Sequence, residues 1–153
     1  MAKRRRSEYQ VIRRKDIRVA EYQEKYGKKA GARFEKLWVW QKAYELMLDV
    51  HKICKTLPRD ERFRLRDQIE RSSSSVVDNI AEGYTSYYYN DKIKGFQTAR
   101  KESGETQSHI REMSGKEYII NSKADDLIGR YEGVIRGING FINFIREKRG
   151  AER

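Results

Sequence analysis

The chain has 153 residues, one domain's worth, and its hydrophobic fraction of 37% is low for a globular monomer, which leaves room for stability shared among subunits. Lys and Arg number 34 against 23 Asp and Glu, a formal net charge of +11. No apolar run approaches the roughly 20 residues that span a bilayer. No apolar leader core follows the N-terminal charges, and the single cysteine, Cys54, cannot pair within the chain, so a reducing cytoplasm is expected.

The charge is unevenly placed. Residues 1–33 hold 12 Lys and Arg against 4 Asp and Glu, a net of +8, while residues 34–153 hold 22 against 19, a net of +3. The basic clusters of this arm are Lys3, Arg4, Arg5 and Arg6, then Arg13, Arg14 and Lys15, then Lys28 and Lys29, with Tyr9, Val11, Ile12, Ile17, Val19, Tyr22 and Tyr26 between them. Such an arm acts chiefly on a densely anionic partner, nucleic acid first. Its other reading is a solubilising tail. Residues 16–26 can form a short helix, and the arm is expected to order on a partner.

Four helices are predicted for the body. The first spans 34–56 and ends ahead of Leu57-Pro58, because a residue preceding proline avoids the α region. It carries two apolar stripes, Val39, Ala43, Leu46, Val50, Ile53 and Leu57 beside Leu37, Trp40, Tyr44, Met47 and Cys54, wider than one core contact needs. The second spans 60–83 with Leu65, Ile69, Ser72, Val76 and Ile80 along one side. The small run Ser72 to Ser75 suits a helix passing close by, and Gly83 is read as its stop. The connection contains Tyr87, Tyr88 and Tyr89.

Asn90 or Asp91 is expected to cap the third helix, whose seam is Phe96, Ala99, Ser103, Thr106, Ile110 and Met113. The fourth starts near Ser122, with Asp125 completing a box-like cap. Its seam, Ala124, Ile128, Tyr131, Ile135, Ile138, Ile142 and Ile145, alternates steps of four and three like a coiled coil. Short connections then predict an all-α fold, an antiparallel up-down-up-down four-helix bundle over 34–148 with a basic N-terminal extension and a tail at 149–153. Gly129, Gly133 and Gly137 recur every four residues, with Gly140 nearby. They mark either a tight contact inside the bundle or a contact between subunits, since each costs about 1 kcal/mol in a helix interior.

Four stretches, in order, carry a family resemblance: FEKLWVWQKA from Phe34 with Trp40 and Gln41, LP followed by ERFRLRDQIERSS, NIAEGY with Asn79, Glu82 and Gly83, and ARKESGET from Ala99 with Glu105. With them the body resembles the four-helix-bundle proteins encoded within intervening sequences of bacterial 23S ribosomal RNA genes. The resemblance implies the same bundle, assembly as a homopentamer around a central channel, and no established enzymatic activity. A related branch serves as the accessory subunit of diversity-generating retroelements, where it binds a reverse transcriptase and nucleic acid. The chain departs from the family pattern in its longer basic arm and in the tyrosines of a loop that is usually rich in glycine and lysine.

Catalytic chemistry finds little support. His51 and Cys54 are three residues apart, but a part-buried cysteine beside a histidine is ordinarily inert core. Glu105 and His109 lack the second Glu-x-x-His that a di-iron bundle requires, and no metal site or cofactor is expected. Asn79 and Glu82 are expected to bond across helices or cap the turn.

The leading expectation is an RNA-binding homo-oligomer whose arm contacts phosphates. Secondary contacts come from Lys92, Lys94, Arg100 and Lys101, and Tyr87 to Tyr89 either stack on bases or lie on the bundle. The alternative is a scaffold that docks a reverse transcriptase or another nucleic-acid enzyme together with its nucleic acid. A metal or redox enzyme, a third class, predicts bound metal or a reactive Cys54.

Overall fold

The computed structural model describes residues 32–152. They form four helices, α1 Trp38–Cys54, α2 Leu65–Thr85, α3 Tyr89–Gly115 and α4 Asn121–Ala151, with 3-10 turns at Arg33–Lys36 and Arg59–Glu61. The helix α4 runs three residues past the expected boundary at Lys148. Among the described residues no helix is long and apolar enough to cross a membrane.

Contacts between helices fix their directions. His51 Nε2, late in α1, lies 3.0 Å from Ser73 Oγ in α2. Thr106 Oγ1 donates to Ser72 Oγ at 2.8 Å, while Gly95 meets Gly83 at the other end of the α2–α3 pair. Arg111 reaches Asp125 at 2.7 Å and Arg149 reaches Asn90 at 2.8 Å, so α3 and α4 run oppositely along their whole length. Arg130 of α4 pairs with Asp49 of α1 at 2.8 Å. Neighbours are antiparallel throughout, and the four-helix bundle follows.

The core is built from the predicted seams. Val39, Ala43, Leu46 and Val50 of α1 are buried with Leu65, Ile69, Val76 and Ile80 of α2, and every seam residue of α3 is buried. The seam of α4 shifts: Leu127 and Val134 are fully buried, and Ile128 and Ile135 are only half-buried. Both sets obey helical spacing. Which adjacent apolar position turns inward depends on the sides that α1 and α3 cover, and periodicity does not specify that. The second stripe of α1 is half-buried at Leu37, Tyr44 and Met47, and Trp40 stacks on Tyr44 at 5.0 Å.

Three punctuation signals act differently from expectation. Gly83 does not end α2, which continues to Thr85; it permits the crossing with α3. A Cβ on Gly95 would lie 2.7 Å from Gly83 Cα, so two bare backbones touch there. Asn90 is inside α3 and accepts from Arg149, leaving no side-chain cap on that helix. Likewise α4 starts at Asn121 without a side-chain cap, and Asp125 is engaged by Arg111 instead. At Asn90 and Asp125 a tertiary contact takes a side chain that local chemistry would have used as a cap.

The α3–α4 turn is held by a Schellman motif. Tyr118 N–H donates to the Met113 carbonyl at 2.9 Å and Glu117 N–H to Ser114 at 3.0 Å. Glu117 takes the left-handed position with φ 64°, which costs a non-glycine residue about 1–2 kcal/mol.

Candidate functional site

The arm clusters, Lys3 to Arg6, Arg13 to Lys15, Lys28 and Lys29, lie outside the described residues. What the structure does place is their point of attachment. The Arg33–Lys36 turn packs against α1 and α2; Gln41 Nε2 donates to the Glu35 carbonyl at 2.6 Å, and the Phe34 ring lies 5.2 Å from that of Trp40. Trp40 and Gln41, both signature residues, therefore anchor the segment through which the arm joins the bundle. Gly137 of α4 sits beneath Trp38 and Val39 at the same level.

From that level α4 continues to Ala151, about 20 Å further at 1.5 Å per residue. The start of α3 accompanies it, joined by Phe96 stacked on Phe141 at 5.4 Å. The α2–α3 turn thus shares an end of the bundle with the arm's attachment and the C-terminal turns of α4. Lys148 and Arg149 lie there, and sequence reasoning missed them. Their signal was available, since cations at a helix C-terminus complement its dipole.

The three tyrosines separate. Tyr87 and Tyr88 are 88% and 68% exposed and meet edge to face at 5.1 Å. Tyr89 is already in α3, half-buried, and donates its hydroxyl to Glu152 at 2.6 Å; that hydrogen bond raises its pKa. Two aromatic faces, not three, are available at this turn.

The cations of α3 also divide. Lys94 and Lys101 are exposed and seven residues apart, so they share one face. Arg100 is exposed but turned to α4, donating to Asn139 at 2.8 Å. Lys92 is withdrawn: its ammonium donates to the Tyr84 carbonyl at 2.7 Å and lies 5.8 Å over the Tyr84 ring. Burial, with Lys148 nearby, lowers its pKa. Of the four expected phosphate contacts on α3, Lys94 and Lys101 form a patch, and Lys92 acts as a C-terminal tie for α2.

Within NIAEG, the Asn79 amide stays on its own helix, donating to Ser75 at 2.9 Å, and Glu82 is exposed without an ion pair among the described residues. Neither side chain bonds across helices; the motif meets its neighbours through the buried Ile80 side chain and through the backbone of Gly83 and Asn79 facing Gly95. Glu105 takes Arg71 at 2.5 Å, and His109 lies between Glu105 and Glu112 at 3.5 and 3.6 Å, a partly solvated ionic strip on α2 and α3. Among the described residues no group of His, Cys, Asp and Glu is placed to hold a metal ion. The Cys54 thiol is buried and pushed up to about 12, first by desolvation and then by Glu70.

The glycine column splits as well. Only Gly137 has a tight neighbour, with Trp38 2.9 Å from the position of a Cβ. Among the described residues nothing lies within 4 Å of such a Cβ at Gly129 or Gly140, and only the Arg136 side chain approaches Gly133.

The site therefore consists of the arm's root, two exposed tyrosine rings and the cationic end of α4. No curated protein matches the sequence. A solved structure from Bacteroides thetaiotaomicron, a protein with unknown function from the S23 ribosomal protein family, superposes with a TM-score of 0.64 at 24% identity, covering 69% of this chain and 95% of that one. It supports the fold. The sequence profile of the 23S rRNA-intervening sequence proteins matches residues 35–140, which takes in the four signature stretches apart from Phe34 at the start of the first. On that match and this bundle, the chain belongs to the 23S rRNA-intervening sequence protein family.

Proposed function

We propose that this protein is a non-enzymatic, self-assembling RNA-binding protein in which the basic arm neutralises phosphates and the bundle end beside its root receives unpaired bases. The observation that carries this reading is the separation of charge, +8 within residues 1–33 from 12 cations and 4 acids, joined to a bundle end that displays Tyr87 and Tyr88. Exposed tyrosines next to cations suit single strands, because a base stacked on a ring contributes about 1–3 kcal/mol whatever its identity. Burial keeps Cys54 a protonated thiol at neutral pH, with little of the reactive thiolate present, which favours a binding role over thiol catalysis.

Self-assembly is supported by Gly129, Gly133 and Gly140. Each sacrifices about 1 kcal/mol of helix propensity, and among the described residues no close helix packing returns it. A second copy lying on that face of α4 does return it, and five copies is the number the family resemblance implies. A ring would present several arms at once and raise apparent affinity through avidity. Docking of a reverse transcriptase belongs to the alternative, which places the same arm and ring in a nucleoprotein complex.

The test is binding of single-stranded RNA to the full-length protein across a salt series. The logarithm of affinity should fall with the logarithm of salt by about 0.7 per phosphate contact. A flat response refutes the electrostatic mechanism. Charge-neutralising substitutions at Arg4, Arg5, Arg6, Arg13, Arg14 and Lys15 should flatten the slope, and an unchanged slope would move the interface elsewhere.

A further inference from the structure

A second exposed apolar and cationic surface lies at the opposite end of the bundle, where the α1–α2 and α3–α4 turns meet. Phe63 is 84% exposed and Ile120 is 72% exposed there. Neither is a loosely held residue on a floppy loop. The turn bearing Phe63 is closed by backbone hydrogen bonds from Glu61 to Pro58, Arg62 to Arg59 and Arg64 to Glu61, at 3.0, 3.2 and 3.1 Å.

From below, the turn is pinned by the Glu61 carboxylate. It is only 6% exposed and accepts from Lys116 Nζ at 2.9 Å, Tyr118 Oη at 3.0 Å and Leu65 N–H at 3.4 Å. Its pKa is lowered, with the Lys116 hydrogen bond the main cause, so it stays ionised beneath the turn at neutral pH. The Schellman motif that places Tyr118 against it completes the support. A rigid turn thus holds a phenylalanine out in water, where it stabilises nothing in the fold.

The surroundings specify what it faces. Arg62 stacks its guanidinium on one face of the Phe63 ring at 5.3 Å, leaving the other face open. Lys55, Arg59, Arg62 and Arg64 are all exposed and form no salt bridge among the described residues. Asp60 is the one exposed acid among residues 55–64, because Glu61 is buried and cancelled by Lys116. An open π face flanked by guanidinium groups matches a stacked base between phosphates.

We infer that Phe63, with Arg59, Arg62 and Arg64, forms a second contact for single-stranded RNA, a base stacking on the free face of the ring and the guanidinium groups holding its flanking phosphates. This rests on the reading that RNA is the partner. It places the contact about 25 Å from the arm's root, the length of the 17 residues of α1. A strand held at both ends then runs the length of a subunit.

The experiment compares full-length wild type with Phe63→Ala, Phe63→Leu and Phe63→Tyr for binding to oligouridylate and to a blunt RNA duplex. Melting curves establish that each variant folds, as expected for so exposed a residue. Phe63→Ala should weaken oligouridylate binding roughly 5- to 150-fold, the loss of one base stack. Phe63→Leu should be as weak, Phe63→Tyr should restore affinity, and the duplex should bind all four proteins alike. Unchanged oligouridylate affinity in Phe63→Ala, with salt-sensitive binding intact, overturns this contact and leaves the arm reading standing. Full rescue by leucine overturns stacking. Binding of anionic vesicles that alanine abolishes and leucine preserves overturns it in favour of a lipid surface. A wild type that binds no RNA at any salt concentration brings down both readings together.

Discussion

Replacing Gly95 with alanine probes the crossing on which the α2–α3 pair is built. A methyl group there lies 2.7 Å from Gly83 Cα, 2.8 Å from Gly83 N and 3.1 Å from the Asn79 carbonyl oxygen. All three are backbone atoms of α2, so no rotamer change relieves the overlap. Ordinary carbon contacts are about 3.5–4.0 Å, and the helices must part by roughly 1 Å to restore one. Overpacking costs about 1–3 kcal/mol, and backbone obstruction places this case near the top of that range. Alanine returns about 1 kcal/mol of helix propensity. The net loss of about 2 kcal/mol lowers Tm by about 8 °C in a domain of this size. Gly104→Ala is the control: among the described residues nothing lies within 4 Å of its Cβ, so propensity acts alone and Tm should rise by about 4 °C. Thermal melts monitored by circular dichroism compare the two. A Gly95→Ala protein as stable as wild type, or equal losses in both variants, refutes the argument.

Gly129→Leu combined with Gly133→Leu should leave helicity intact and dissociate the proposed assembly, and an oligomer mass unchanged from wild type by native mass spectrometry would remove the proposed subunit contact from this face. Glu117→Gly should stabilise the fold by about 1 kcal/mol in denaturant titration, because glycine meets φ 64° without strain; destabilisation would count against the Schellman reading. The Tyr131 hydroxyl is buried with no hydrogen-bond partner among the described residues, so Tyr131→Phe should raise stability by about 1 kcal/mol or more, and a loss would reveal a partner. Cys54 should resist thiol reagents in the folded state near pH 9 and react on unfolding, since folding raises its pKa to about 12. By the same linkage its contribution is fully present below the ordinary thiol pKa and is lost as pH climbs towards 12; rapid labelling of folded protein at pH 9 would contradict it.

The sequence by itself determined the helices, the inward seam of α3, and most of the core of α1 and α2. These follow from residue spacing and composition, which act locally along the chain. Ser72 to Ser75 announced a close helix, and Thr106 bonding to Ser72 supplies it. Tertiary structure decided what depends on partners distant in sequence. It withdrew Lys92 into a contact with Tyr84, separated Tyr89 from Tyr87 and Tyr88, and made Gly83 half of a crossing with Gly95 where a local stop signal was expected. It also set Glu61 beneath Phe63 by bringing Lys116 and Tyr118 from 55 and 57 residues away. A side chain's neighbours along the helix are written in its spacing, but its neighbours across the bundle exist only once the helices have packed.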